Sequence, residues 1–230
     1  MTEGIRIGVI DSGINPVHPH AGPVAGGVRI RMRDGRIEED EDWEDLLGHG
    51  TATAATIRGH APDASLYAIR IFVRRLTAHT EALLSAIDWA IKQRMHLVNL
   101  SLGCTAFRWE QAFREVCSRA TQADITIVSA SETDGTPSLP GVLPDVIGVC
   151  SDPRLQDGTI AIKDEVFFAP PWARPLGNLP RERNLQGDSL AVANVTGIIA
   201  RIMMEQGPMP VREVKRLLQE MAIDRNEVSS

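Results

Sequence analysis

Along the chain, short unbroken apolar runs alternate with longer stretches in which apolar residues return every three or four positions. Short runs bounded by Gly, Asp, Asn and Ser read as buried strands, and the longer recurrence reads as the inward face of a helix. Ile5 to Ile10, Ser65 to Ile71, His96 to Leu102, Ile125 to Ala130 and Asp145 to Val149 are therefore expected as strands. Their continuous Val, Ile and Leu content implies burial on both faces, as in a parallel sheet covered by helices. Leu83, Leu84, Ile87, Ile91 and Met95 share one helix face, and Trp109, Ala112, Phe113, Val116, Cys117 and Ala120 share another. Leu190 to Met204 is apolar almost all round, the pattern of a buried helix. Pro210 opens a last helix where its missing N–H costs nothing, with Val211, Val214, Leu217, Leu218 and Met221 facing inward. The expected class is α/β: a mostly parallel twisted sheet with helices on both faces. Asn15 to Leu47 and Pro170 to Gln186 are weakly patterned and read as long loops, which in such a fold are usually functional. No linker or repeat divides the chain, so residues 1–230 are taken as one domain.

Composition narrows the partners. With 230 residues and 43% hydrophobic content the chain can bury a sizeable core. No run has the length and apolarity of a membrane-spanning helix, and the start lacks the marks of a secretory signal. The net charge of −6, with an acidic cluster from Glu38 to Asp45, is opposite in sign to a nucleic-acid-binding surface. Cys104, Cys117 and Cys150 are widely spaced, fitting neither a disulfide framework nor a zinc site, so reduced thiols and a cytoplasmic location are expected. His18 and His20 beside the acidic cluster come nearest to a metal-ligand spacing. Without a third ligand at helical spacing they read as loop residues, and neither metal nor cofactor is expected.

Three short motifs carry chemistry. Asp11-Ser12-Gly13 closes the first strand, and the carboxyl ends of parallel strands are where functional side chains converge. His49-Gly50-Thr51 precedes a run of small residues suited to a tightly packed helix, and Gly187-Asp188-Ser189 precedes the buried one. Singly these are a turn, a loop histidine and an N-cap. Together they supply a carboxylate, a base and a hydroxyl. A serine becomes nucleophilic when a histidine takes its proton, and the histidine needs a carboxylate to fix its tautomer. A helix N-terminus beneath the serine aims N–H groups at a developing oxyanion.

The order Asp, His, Ser is that of subtilisin, and the chain resembles the subtilisin-like serine proteases from Ile5 to about Ile202. The resemblance rests on Val9 to Pro16 with His18-Pro19, on His49 to Thr51, Ala61 to Ala68, Val98 to Gly103 and Leu143 to Val149, and on Gly187 to Ala191 with Val195 to Gly197. It implies Asp11, His49 and Ser189 as the triad. It further implies Leu100, Ser101, Leu102 and Gly103 as the strand beside the substrate backbone, and Ser138 to Gly141 as the floor of the pocket for the residue before the cut.

The pattern breaks at the oxyanion hole, where the family's asparagine is represented by Thr133, on a shorter arm. The residue before the nucleophile is Asp188, which accepts but does not donate when ionised. Removing one oxyanion donor from subtilisin costs roughly 10²- to 10³-fold in turnover. A slow and selective enzyme is therefore expected, with the Ser189 N–H and Thr133 as donors. Ala193-Asn194 stands where the family often has Pro-His, a packing change. The family's propeptide and calcium-binding insertion are expected to be absent, given ten residues before Asp11 and a short span from Thr51 to Ala61.

The leading expectation is a serine endopeptidase making limited cuts in one dedicated protein or peptide partner, such as leader removal. Small members of the family in peptide-maturation clusters, including the one serving the small subunit of quinohemoprotein amine dehydrogenase, are the preferred comparison. A peptide macrocyclase sharing the acyl-enzyme and a peptide-binding pseudoprotease are the alternatives. A nucleotide-binding module fails for want of a phosphate loop, because the glycines at 22 to 27 are wrongly spaced. Cys104 as a nucleophile has no base to pair with it.

Overall fold

A computed structural model describes residues 4–177 and 179–228. Its strands are β1 (Arg6–Asp11), β2 (Gly26–Arg33), β3 (Arg36–Asp40), β4 (Ser65–Arg70), β5 (Leu97–Leu100), β6 (Thr126–Ala130), β7 (Glu132–Thr133), β8 (Thr136–Pro137), β9 (Ile147–Ser151), β10 (Ala161–Lys163), β11 (Val166–Ala169) and β12 (Ile223–Asp224). The helices are α1 (His49–His60), α2 (Thr80–Lys92), α3 (Glu110–Gln122), α4 (Asp188–Gln206) and α5 (Val211–Met221). Ten strands form one sheet in the order β12-β10-β11-β9-β6-β5-β1-β4-β2-β3, and β7 pairs with β8 apart from it. From β11 through β2 all neighbours are parallel; β3 and β10 join antiparallel at the margins. The expected parallel α/β architecture is present.

Two apolar layers follow from the strands' doubly buried faces. On one, Ile7, Val9, Leu97, Val128 and Val149 pack with α1, α4 and α5. On the other, Ile10, Ile69, Val98, Leu100 and Ile127 pack with α2 and α3. Helix α4 is buried almost throughout, which is why its sequence shows no polar face.

The span 15–47 is not one long loop. It holds the edge hairpin β2–β3, turned at Asp34-Gly35 with both residues at positive φ. Part of the acidic cluster lies on β3, where Asp40 meets Arg29 at 2.7 Å and Glu38 meets Arg31 at 2.9 Å. Charges expected on a loop are thus in part cross-strand pairs on a sheet edge.

Candidate active site

Strand β1 delivers Asp11 to the carboxyl edge of the sheet, where it is fully buried. An isolated carboxylate there would be costly, and donors surround it. The Ser12 N–H donates to Oδ1 at 2.7 Å, the Thr53 hydroxyl to Oδ2 at 3.2 Å, and His49 Nδ1 lies 2.8 and 2.9 Å from the two oxygens. His49 is the first residue of α1, entered through Gly48 in the left-handed region at φ 84°. The helix head sits hard against the turn after β1: a Cβ on Gly50 would collide with the Gly13 carbonyl oxygen, and one on Gly13 with the Trp43 carbonyl. Gly50 is required by the approach of the helix, and Gly13 by the segment 43–45 packed on the same turn.

Asp45, which sequence reasoning passed over, fixes the same helix head. Its Oδ1 accepts from the Leu47 and Gly48 N–H groups and the Ser12 hydroxyl, and its Oδ2 accepts from the Thr51 N–H and hydroxyl. Burial pushes the Asp45 pKa up, but these donors outweigh it and hold the carboxyl below its ordinary value. For His49, burial lowers the pKa, while the Asp11 hydrogen bond and the charges of Asp11 and Asp45 raise it; the net shift is upward from 6.5. The overlooked signal was an Asp shortly before a helix start. Behind it, the buried Arg70 donates to the backbone carbonyl and Oδ1 of Asp42, anchoring the segment that bears Asp45.

Across a cleft of about 670 Å³ stands Ser189, second residue of α4. His49, Ser101, Leu102, Gly103, Thr133, Asp188 and Ser189 all border this space. The Ser189 hydroxyl does not engage His49 here: it donates to the Ser101 carbonyl oxygen at 2.8 Å. Ser101 is in turn fixed by Asn99, whose Nδ2 donates to the Ser101 hydroxyl and whose Oδ1 accepts from Thr196 of α4. Asp188 accepts the Ser151 N–H at 2.8 Å, tying the head of α4 to the end of β9.

Several expected site residues lie elsewhere. Leu100 is fully buried in the α2–α3 layer, because β5 ends there and the chain leaves the sheet at Ser101. Ser138 and Gly141 are also buried and do not border the cleft. The Ser138 hydroxyl donates to the Ala130 carbonyl and lies where a Gly103 Cβ would be, so it backs the wall instead of flooring an open pocket. Cys104 bridges Leu139 through its backbone. Burial pushes the Cys117 and Cys150 thiols up to about 12, and all three cysteines are free. His18 and His20 meet edge to face with ring centroids 5.7 Å apart.

A parallel sheet presenting an acid, a base and a helix-head hydroxyl at one edge is a subtilisin-like fold. A solved structure of a cold adapted subtilisin-like serine proteinase superposes with a TM-score of 0.75, covering 99% of this chain and 85% of that one at 22% identity. The chain belongs to the Subtilase family, whose model matches residues 2–153. It is 28% identical over 214 residues to a thermostable alkaline protease of Halalkalibacterium halodurans, covering 86% of this chain and 56% of that protein. It is 26% identical over 237 residues to subtilisin NAT of Bacillus subtilis subsp. natto, covering 95% and 60%. With the human membrane-bound transcription factor site-1 protease it shares 32% over 155 residues, 63% of this chain and 14% of that protein. The chain thus spans less than two thirds of the length of each of these curated relatives. No helix among the described residues is long and apolar enough to cross a membrane.

Proposed function

We propose that this chain is a serine endopeptidase that makes limited cuts in a protein or peptide, with Asp11, His49 and Ser189 as its catalytic residues. The observation that carries the reading is the doubly contacted Asp11–His49 pair, facing the cleft that Ser189 borders at the head of a buried helix. In the reaction, the Ser189 hydroxyl rotates from the Ser101 carbonyl to His49 Nε2 and attacks a peptide carbonyl as His49 takes its proton. The oxyanion is met by the Ser189 N–H, one of the first-turn donors of α4 that no helical carbonyl can satisfy, and by the Thr133 hydroxyl. His49, stabilised as imidazolium by Asp11, protonates the leaving amine and then activates water for deacylation.

The finer reading is maturation of one dedicated partner by leader removal, in a reducing compartment such as the cytoplasm. It is supported by the free cysteines and by an oxyanion hole with a threonine in place of an amide. A fluorophosphonate should label Ser189 in the parent protein and not in Ser189→Ala. Absence of an adduct under native conditions would favour the pseudoprotease. Mass spectrometry of products from small proteins encoded beside this one then separates hydrolysis, which adds water, from acyl transfer, which does not.

A further inference from the structure

Between the edge strand β2 and residues 71–79 lies a second cavity, of about 290 Å³. Its basic lining is Arg31, Arg74 and Arg75, with His79 beside them and no carboxylate. Arg31 is matched by Glu38 at 2.9 Å. Arg74 and Arg75 are exposed, and neither forms an ion pair with any described residue. In a protein of net charge −6, two adjacent uncompensated guanidiniums at a cavity mouth are a local inversion of sign.

Thr77 and Ala78 line both this cavity and the catalytic cleft, so the two spaces are immediate neighbours. The leaving amine must lie at His49, so the acyl side of a substrate extends away from it along the cleft. Leu76, Thr77 and Ala78 border that cleft together with Leu102 and Gly103. We infer that Arg74 and Arg75 form a subsite for acidic side chains, Asp or Glu, on the N-terminal side of the scissile bond, so that the preferred substrate is an acidic peptide. This rests on the endopeptidase reading and specifies its substrate class. Arginine suits the role because its guanidinium forks onto a carboxylate and stays charged at all working pH values.

The test begins with an equimolar decapeptide library whose cleavage products are read by mass spectrometry. The best-cleaved sequence is then remade with Glu, Gln or Lys at the upstream positions. Two partly exposed pairs should favour Glu over Gln by about three- to tenfold in kcat/KM at low salt. The ratio should shrink at about 0.5 M NaCl, where screening is short-ranged. In the Arg74→Glu/Arg75→Glu double variant it should vanish or turn toward Lys, and in Arg74→Gln/Arg75→Gln it should approach unity. Equal rates for Glu and Gln in the parent, or a Glu preference that survives both double variants, would overturn the inference while leaving the endopeptidase reading intact. A Ser189 adduct without cleavage of any library member, acidic ones included, also overturns it. Failure of the reading itself is distinct: neither cleavage nor a fluorophosphonate adduct on Ser189.

Discussion

His49 is subject to opposed forces, burial against negative charge, and the charge wins. In the proposed reaction His49 is the general base, and a general base works only when neutral. A pKa raised above 6.5 keeps the proton on to higher pH, so kcat/KM should rise with pH along an acid limb whose midpoint lies above that value. Asp45→Asn removes one of the charges responsible and should move the midpoint down, which a pH–rate profile of the two proteins reads directly. Thr133 faces the cleft half-buried at the end of a short strand held by a two-residue turn. Thr133→Val should lower kcat by about tenfold or more with little change in KM, because the lost donor acts only on the transition state. Thr133→Asn should raise kcat; a fall would assign the hydroxyl another task. At this scale the sequence pointed to Asp11, His49 and Ser189, which the structure gathers at one sheet edge, because each is a side chain with one chemistry in a fixed order. It hid the Ser101 carbonyl, which every residue carries, and Asp45, which sits in a run of acids that look merely solvated.

Elements were legible where burial and length coincided. Five buried strands and the inward faces of α2 and α3 were readable because doubly buried strands and amphipathic helices leave strong patterns, whereas β11, buried but only four residues long, was missed. The marginal pieces were not. Strands β3, β7 and β8 are short and polar, and β2 alternates arginines with buried Val28 and Ile30. Their local signal was the turn itself, Asp34-Gly35 and Asp134-Gly135, both with paired positive φ of the kind that closes two-residue hairpins. The C-terminal margin is held by charge. Asp152, almost fully buried after β9, accepts from Arg154 at 2.7 Å and from Arg225 at 3.1 Å, and Arg225 lies over the Phe168 ring. The Arg154 hydrogen bond, opposed by burial and joined by Arg225, holds the Asp152 carboxyl well below the usual range. A depressed folded pKa means the contribution is full at neutral pH and fades as pH falls below the unfolded value near 3.8. Asp152→Asn should therefore cost about 2 kcal/mol at pH 7, a melting shift of roughly 4–8 °C for a chain of this size. Thermal scans at decreasing pH should show that gap closing; a constant gap would mean the loss is steric.

For the molecule as a whole, the decisive dimension is the spacing of two helices. Helix α1 begins at His49 and α4 carries Ser189 at its head, and the pair pack on one face of the sheet. Gly197 sits in their contact: a Cβ there would stand 2.8 Å from His60 Cβ and 3.0 Å from the Ile57 carbonyl oxygen. Nearby, Asn194 Oδ1 lies 2.8 Å from His60 Nε2, and Asn194 Nδ2 donates to the carbonyls of Pro170 and Trp172, so one buried amide clasps both helices and the chain leading toward the cleft. The expected packing role of Asn194 thus has a specific form. Gly197→Ala cannot be absorbed by the end of a flexible side chain, because the contacts are a Cβ and a backbone oxygen, and the helices must part by a few tenths of an ångström. Overpacking of this kind costs about 1–3 kcal/mol. Because acyl transfer depends steeply on the placement of base and nucleophile, kcat should fall by about tenfold, with the larger displacement of Gly197→Val costing more. The measurement is kcat at a temperature where circular dichroism shows both variants folded. An unchanged kcat in a destabilised but folded Gly197→Ala would mean that the heads of α1 and α4 are positioned locally, by Asp45 and Asp188, and that the spacing of the helix bodies sets stability alone.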